Sequence, residues 1–321
     1  MTARLAAAIP LAALMLGAAI LAFAPILVRL SDTSPAASAF WRMALGVPLL
    51  WVWVWLFERR APVPAAAAQP SAPQTSAPGA SRWPASWSPQ TRLLVLAGLF
   101  FACDLAALHA AIARTSVANA TLELNLAPVF VTLGAWLLFR QRVSRWFLAA
   151  LLLTLVGVAL LVTPAGNAGS QTRLGDALLG DALLGDAFGL LAGFFYACYL
   201  LTIKSASTSV STARIMAVNT SIAALLLAPY AWLNAAQLWP QSAEGWLILG
   251  ALALLVHVLG QSLIALGIAR LSASFSSVSL LLQPVLAAVY AWSILGEAMG
   301  PVQMAGGVIV LCGIYLAKRA A

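Results

Sequence analysis

Apolar runs of about 20 residues, separated by short polar segments, dominate this chain. Of its 321 residues, 63% are hydrophobic and 8% are charged, whereas a soluble domain has about 25% charged residues. A bilayer core needs about 20 apolar residues per helix, and a backbone in lipid must satisfy its own hydrogen bonds. Because the runs are continuous rather than alternating, they favour helices over a barrel. The sequence therefore predicts an all-α integral membrane protein.

Ten of these runs are long enough to cross a membrane. The first run also resembles a signal peptide, because Ala22-Phe23-Ala24 has the small residues of a cleavage site. Its length and the many runs after it favour a retained helix. The predicted spans are residues 5–28, 36–57, 93–113, 117–139, 146–163, 184–203, 214–233, 246–269, 273–295 and 301–317.

Two connecting segments have unusual compositions. Residues 61–91 are rich in Pro, Ala and Ser, which predicts a flexible cytoplasmic loop. Residues 164–183 are predicted to form a periplasmic linker, and they contain most of a tandem repeat that reads GDALL, GDALL, GDAF. We interpret the repeat as a slipped duplication of a helix start. A calcium site built from Asp176, Asp181 and Asp186 is the alternative.

The basic residues predict the orientation. With the N-terminus inside, thirteen of the 17 Lys and Arg residues fall on the inner side and three on the outer side, as the positive-inside rule requires. Both termini are therefore predicted to be cytoplasmic. The protein itself is predicted to lie in the cell inner (plasma) membrane. The net charge of +8 comes from scattered residues, so no nucleic-acid partner is expected.

An internal repeat divides the chain into two halves. Residues 113–161 align without a gap on residues 269–317, with 13 identities in 49 positions at an offset of 156. Because each half has five spans, an odd number, the halves should be inverted with respect to each other. Inverted repeats are typical of secondary transporters, whose substrate binds near the midplane between the halves. The predicted repeats cover residues 1–163 and 184–321.

Several motifs resemble the EamA-type permeases of the drug/metabolite transporter superfamily, over nearly the whole chain. The matching segments are Phe40-Trp41-Arg42, residues 115–120 leading to Leu126-Ala127-Pro128, Ser272-Ala273-Ser274, Gln283-Pro284, Leu295-Gly296-Glu297, Gly306-Gly307 and Gly313. The resemblance implies ten helices with both termini cytoplasmic. One departure is that Arg140-Gln141 replaces the Gly-Glu that ends the fourth helix in this family, while Gly296-Glu297 keeps it in the second half.

Two ionisable residues are predicted near the middle of the membrane. Asp104 lies about twelve residues into the third span, and His257 lies about as far into the eighth. The repeat pairs these two helices, so both side chains are expected to line one central cavity. Buried ionisable groups in membrane helices mark functional sites, and this pair suits proton exchange.

The ninth span repeats a proline arrangement of the fourth. Glu123 and Asn125 precede Pro128, and Gln283 precedes Pro284. A proline removes a backbone donor and frees a carbonyl, which a cavity tolerates and lipid does not. We therefore predict that Glu123, Asn125 and Gln283 line the substrate site and that Pro128 and Pro284 act as hinges.

Arg42 and Trp41 begin the second span on its outer side. Arg42 is expected either to pair with Glu123 as an outer gate or to extend towards lipid phosphate, and both residues are included in the predicted site. Weaker candidates for orienting hydrogen bonds are His109, Tyr196, Tyr199 and Gln261.

Catalytic and metal-binding motifs are missing from the sequence, and Cys103, Cys198 and Cys312 lie in apolar runs without metal-ligand spacing. We therefore expect no enzyme activity, cofactor or metal. The predicted function is a permease that moves a small molecule, either coupled to protons or as a facilitator. A membrane-embedded lipid-acting enzyme or scramblase is the alternative. The chain is expected to act in a lipid bilayer as a monomer or dimer.

Overall fold

The computed structural model describes residues 2–58, 88–112, 114–115, 117–163 and 181–320. The regular structure in these ranges is helical. In chain order the helices are α1 (Thr2–Leu21), α2 (Ala24–Leu30), α3 (Pro35–Glu58), α4 (Pro89–Ile112), α5 (Val117–Leu124), α6 (Ala127–Phe139), α7 (Arg145–Val162), α8 (Asp181–Ala206), α9 (Thr212–Asn234), α10 (Ala243–Ala251), a π-helical segment (Leu252–Gln261), α11 (Ser262–Arg270), α12 (Ala273–Leu280), α13 (Leu282–Leu295) and α14 (Pro301–Ala320).

The ten predicted spans are confirmed within the described ranges. Ten helical stretches are long and apolar enough to cross a membrane, and their ends lie within a few residues of the predicted ones. Helix α4 begins at Pro89, so the last residues of the predicted loop 61–91 are helical. The rest of that loop, most of the linker 164–183 and Asp176 lie outside the described residues.

Serine hydroxyls cap the first turns of four helices. The Oγ atoms of Ser144, Ser211, Ser242 and Ser272 accept hydrogen bonds from the amides three residues ahead, at 2.9 to 3.4 Å. Such a cap satisfies one of the donors that a helix start leaves without an intrahelical partner. These serines therefore define where α7, α9, α10 and α12 begin.

The fourth and ninth spans are both interrupted, and the interruptions occupy equivalent positions of the repeat. Helix α5 ends at Leu124 and α6 begins at Ala127, while α12 ends at Leu280 and α13 begins at Leu282. Pro128 and Pro284 lie in the first turn of the helices that follow, where a missing amide costs little. The prolines therefore mark the two breaks.

The same two spans end in the same way. Arg140 and Gly296, which the repeat aligns, both adopt the left-handed conformation, with φ of 51° and 69°. The amides that follow, of Gln141 and Glu297, both bond the carbonyl six residues back at 3.3 Å. Glycine suits this conformation, and arginine adopts it at a steric cost. The matched geometry supports the duplication predicted from the sequence.

The first span is also broken, at the residues that resemble a cleavage site. Helix α1 ends at Leu21 and α2 begins at Ala24, with Pro25 in its first turn. Phe23, at the break, stacks on Tyr290 of α13 with ring centroids 4.0 Å apart. The small residues at this point therefore have a structural role at a helix junction.

Helix packing follows the repeat. The third span packs on the sixth, through α4 and α8, and the equivalent eighth span packs on the first, through α11, the π-helical segment and α1. The remaining two contacts join equivalent spans of the two halves, α7 with α14 and α6 with α12. The inverted relation of the halves remains a prediction that this packing supports.

Hydrogen bonds identify the two faces of the bundle. On the face that carries the C-terminal helix end, Ser144 Oγ donates to the Ala320 carbonyl, and Lys204 Nζ donates to the Leu271 carbonyl at 2.7 Å. We name this the C-terminal face. On the opposite face, the Ser34 amide donates to the Gln237 carbonyl at 3.0 Å, and Arg29 pairs with Glu297.

Asp32 joins two connections on the opposite face. Its Oδ2 accepts hydrogen bonds from the Gln241 amide, the Ser242 amide and the Ser242 hydroxyl, at 2.9 to 3.0 Å. Desolvation raises the pKa of Asp32, but these hydrogen bonds outweigh it, so the pKa lies below its ordinary value. The charged carboxylate therefore stabilises the start of α10.

Asp32→Asn is expected to lower the melting temperature at neutral pH but not in acid. Since the folded-state pKa is lowered, the stabilisation is present above the unfolded pKa, about 3.9, and is lost as the pH falls through the folded value. The melting temperatures of the two proteins should therefore approach each other as the pH falls below about 3.9. A difference that stays constant from pH 7 to pH 3 would contradict this account.

Candidate substrate cavity

A polar cavity of about 160 Å³ lies in the middle of the bundle. Its walls come from both halves, and both helix breaks reach it. The lining residues are Leu21, Arg42, Phe101, Asp104, Leu105, Leu108, Leu124, Asn125, Ala127, Pro128, Tyr196, Leu200, Val256, His257, Gln261, Ser277, Leu280, Leu281 and Gln283. The predicted meeting of the third, fourth, eighth and ninth spans is therefore found in the structure.

Asp104 is the buried acid of this cavity. It lies on α4 with 4% of its surface exposed. Its Oδ1 atom has no hydrogen-bond partner in the described part of the chain. A buried carboxylate without partners is costly, so Asp104 needs a counter-charge, a proton or a ligand.

Arg42 is the counter-charge. Its guanidinium on α3 interacts electrostatically with Asp104 across the cavity, and its Nε atom has no partner among the described residues. Arg42 lines the cavity, in agreement with its place in the predicted site. It interacts there with Asp104 instead of with Glu123 or with the lipid phosphate considered as the alternative.

His257 lies opposite, in the π-helical segment, with 2% of its surface exposed. Its Nε2 lies 2.8 Å from the Thr220 hydroxyl, and its ring stacks on Phe101 at a centroid distance of 5.8 Å. Because the Thr220 hydroxyl donates to Asn219 Oδ1, Nε2 is the donor to Thr220 in this arrangement. The Nδ1 atom is then left as an acceptor.

A chain of hydrogen bonds extends from His257 through Thr220 and Asn219. The Tyr199 hydroxyl accepts from Gln261 Nε2 at 3.1 Å and from Asn219 Nδ2 at 3.4 Å. Asn219 then receives the bond from Thr220. These residues join α8, α9 and the π-helical segment. The sequence analysis missed Asn219 and Thr220, although two adjacent polar residues inside an apolar span are a detectable signal.

Amides from the two breaks complete the polar lining. Asn125 Nδ2 donates to the Thr121 carbonyl at 2.7 Å, so its side-chain oxygen remains an acceptor. Gln283, on the other break, hydrogen-bonds the Tyr196 hydroxyl. Pro128 lines the cavity beside these amides, whereas Pro284 lies one residue beyond the lining.

Glu123 does not reach the cavity. Its side chain packs on Gly189 of α8 and lies beside Asp186, whose Oδ1 accepts a hydrogen bond from the Thr115 hydroxyl at 2.8 Å. The prediction that Glu123 lines the same cavity is wrong. Successive side chains of a helix are rotated by about 100°, so Glu123 points about 200° away from Asn125, which follows it by two residues. The GxxxG pair Gly189 and Gly193 accordingly serves a contact within the chain.

Trp41 and His109 also lie away from the cavity. Trp41 Nε1 donates to the Leu238 carbonyl at 2.8 Å, and its ring packs against Trp239 and Trp246 at 4.9 and 5.1 Å. Both nitrogens of His109 contact backbone carbonyls, those of Leu105 and Pro35. Both side chains connect helices on the opposite face.

In the described part of the chain, ten apolar spans surround a central cavity that contains charged and polar side chains, which defines a multi-pass membrane protein. The EamA-like transporter family model matches residues 8–163 and 183–319. The chain therefore belongs to the EamA-like transporter family. The two matched segments correspond closely to the predicted repeats.

Curated relatives and a solved structure agree with this assignment. A protein of Archaeoglobus fulgidus named an uncharacterized transporter is 28% identical over 231 residues, which are 72% of this chain and 77% of the relative. The pseudopaline exporter CntI of Pseudomonas aeruginosa is 24% identical over 227 residues, 71% and 75% of the two chains. One solved structure, described only as the crystal structure of a protein, has a TM-score of 0.72 at 18% identity and covers 98% of this chain and 97% of its own. That last likeness concerns the fold alone.

Proposed function

We propose that the chain is a secondary transporter that moves a small metabolite or amphipathic compound by alternating access. The observation that carries this proposal is the central cavity, where the buried Asp104 and the half-buried Arg42 lie beside two helix breaks. Charged groups at this depth in the membrane are costly unless they bind a ligand or an ion or pair with each other. Broken helices near the midplane are the usual architecture of transporter sites.

The lining suits a small ligand with an anionic group and several polar groups. Arg42 matches a carboxylate, and Asn125 and Gln283 offer amide hydrogen bonds, while Leu105, Leu108 and Leu124 supply apolar walls. The volume of about 160 Å³ is below the roughly 300 Å³ of a typical ligand pocket. The ligand is therefore small, or the cavity widens when the breaks move.

The two halves provide the means of movement. In this proposal they are inverted repeats, and Pro128 and Pro284 allow α6 and α13 to rock against α5 and α12. The cavity then opens first to one face and then to the other. The C-terminal face is cytoplasmic in this proposal, as the charge distribution predicts, and the membrane is the cell inner (plasma) membrane.

Export is the favoured direction. The relative named for the export of pseudopaline supports it, and proton exchange at Asp104 supplies the driving force. A proton taken up by Asp104 neutralises it, so that Arg42 is released to hold an anionic group of the ligand.

Counterflow in proteoliposomes tests the transporter. A thermal-shift screen of metabolites first selects a ligand, and the labelled compound is then added outside vesicles with or without excess unlabelled compound inside. Alternating access predicts uptake that is saturable and faster when the inside is loaded. A channel-like leak gives no such acceleration. Turnover or flipping of lipid without solute counterflow would support the lipid-acting alternative and overturn the proposal.

A further inference from the structure

A second cavity, of about 360 Å³, lies at the C-terminal face. It is formed by the connection between α6 and α7, the start of α12 and the end of α14, and it shares no lining residue with the central cavity. The lining residues are Gln141, Arg142, Val143, Ser144, Phe147, Ser272, Ser274 and Ala320.

Two helix N-termini meet at this cavity. Ser144 caps α7 and Ser272 caps α12, and both serines line it. Each cap satisfies one amide of its first turn and leaves others without an intrahelical partner. The N-terminal ends of both helices also carry partial positive charge. These two helix starts favour an anion, while the carbonyl end of α14 at Ala320, also in the lining, opposes it.

Ser274 is an independent sign of a ligand. Only 7% of its surface is exposed, it lines the cavity, and its Oγ atom has no hydrogen-bond partner in the part of the chain that the structure describes. A buried hydroxyl without a partner is costly. A ligand with acceptor oxygens in the cavity would satisfy it.

The other side chains add donors and positive charge. Arg142 contributes a guanidinium and Gln141 an amide, and the lining residues include no carboxylate side chain. An arginine fork beside hydroxyl donors is a favoured arrangement for phosphate. The cavity is therefore chemically suited to a phosphate group rather than to a cation.

The second half of the chain has no equivalent donor set. At the offset of 156, Gln141 and Arg142 correspond to Glu297 and Ala298. Glu297 is an acid and pairs with Arg29. Gln141, part of the departure from the family motif, therefore lies in the donor-rich cavity, and the family-like motif Gly296-Glu297 lies on the opposite face.

The surroundings of the cavity match a membrane surface. Trp146, next to the cap of α7, is 68% exposed with Arg145 over its ring, and Leu148 and Leu152 are exposed further along the helix. Exposed tryptophan and arginine followed by apolar residues are typical of the headgroup region passing into hydrocarbon. The volume corresponds to roughly a dozen water molecules, which leaves room beyond a phosphate group.

We propose that this cavity binds the phosphate group of an anionic phospholipid in the adjoining leaflet. Arg142 and the Ser274 hydroxyl hold the phosphate, and the starts of α7 and α12 supply amide donors. Trp146 and the apolar side of α7 then lie beside the lipid glycerol and chains. This assignment is independent of the solute that the central cavity carries.

Thermal stability of the full chain in neutral maltoside detergent tests the proposal. Phosphatidylglycerol, phosphatidylcholine and inorganic phosphate are titrated against the wild type, Arg142→Gln, Ser274→Ala and the control Arg145→Gln. The control removes one charge three residues further along the chain, at the start of α7, and Arg145 is not a lining residue. Ser274→Ala removes a hydroxyl that has no partner, so the unliganded protein should remain folded.

Phosphatidylglycerol should raise the melting temperature more than phosphatidylcholine does. Arg142→Gln should weaken the apparent lipid affinity about tenfold and Ser274→Ala about threefold or more, since each removes a hydrogen bond to a charged group. Arg145→Gln should change it less than about twofold, as a surface charge does. Equal effects of both lipids, or equal losses in Arg142→Gln and Arg145→Gln, would overturn the site. Saturable binding of inorganic phosphate without any effect of phosphatidylglycerol would overturn the lipid assignment.

Discussion

Asp104→Asn is expected to lower the accumulation of solute driven by a pH gradient at least about tenfold, while exchange of solute persists. Asparagine keeps the shape of the side chain but cannot gain or lose a proton. In the structure Asp104 is buried beside Arg42 with one oxygen unpartnered, so a change in its protonation alters the charge balance of the whole cavity. Gradient-driven uptake and equilibrium exchange, measured in the same proteoliposomes, separate coupling from movement.

Glu244→Gln is the matched control for this prediction. Glu244 is an exposed carboxylate in the first turn of α10, and its loss should leave both assays unchanged. Unaltered accumulation by Asp104→Asn would show that the coupling proton binds elsewhere or that transport is uncoupled. Loss of both accumulation and exchange, with an unchanged melting temperature, would instead make Asp104 a substrate-binding residue and refute the coupling role.

Gly157→Ala is expected to destabilise the bundle by about 2 to 3 kcal/mol. Helices α7 and α14 approach so closely that a Cβ atom on Gly157 would lie 2.7 Å from the Val310 amide nitrogen and 2.8 Å from the Gly306 carbonyl oxygen. Backbone atoms cannot move aside as a flexible side chain can, so the helices must separate. Small residues that allow such approach are a main source of packing between membrane helices.

Gly250→Ala is the control for the glycine substitution. No atom lies within 4 Å of a Cβ built on Gly250, in helix α10. Alanine should therefore be neutral or stabilising there, by up to about 1 kcal/mol, because it reduces the freedom of the unfolded chain. In the same detergent, the melting temperature should fall in Gly157→Ala and should stay the same or rise in Gly250→Ala, if the close contact between α7 and α14 causes the destabilisation. Equal melting temperatures for the two variants would contradict the interpretation.

Much of the architecture followed from patterns that depend only on local sequence. Long apolar runs define spans because the bilayer thickness sets helix length. Pro128 and Pro284 predicted breaks because proline lacks an amide donor. The repeat then placed Asp104 and His257 in helices that face one another, and the structure has both residues in one cavity.

The errors in the predicted site have one physical origin. Glu123 and Trp41 were assigned to the site by their depth in the membrane, which counting along a helix gives well, and so was the pairing of Arg42 with Glu123. Which way a side chain points depends on the azimuth of its helix, and helices that are apolar all round have no polar face to reveal it. A rotation of about 100° per residue therefore separates Asn125 in the cavity from Glu123 against α8.

The sequence by itself determined the number of spans, the two proline-marked breaks and the family, and it predicted the duplication, since all of these depend on hydrophobic length, proline and motif. Only the tertiary structure decided that Arg42 faces Asp104, that Thr220 and Asn219 support His257, and that the unpartnered hydroxyl of Ser274 lies at the start of α12 beside Arg142. Those contacts join residues that are distant in the chain, and they exist only once neighbouring helices have taken their rotations and their separation.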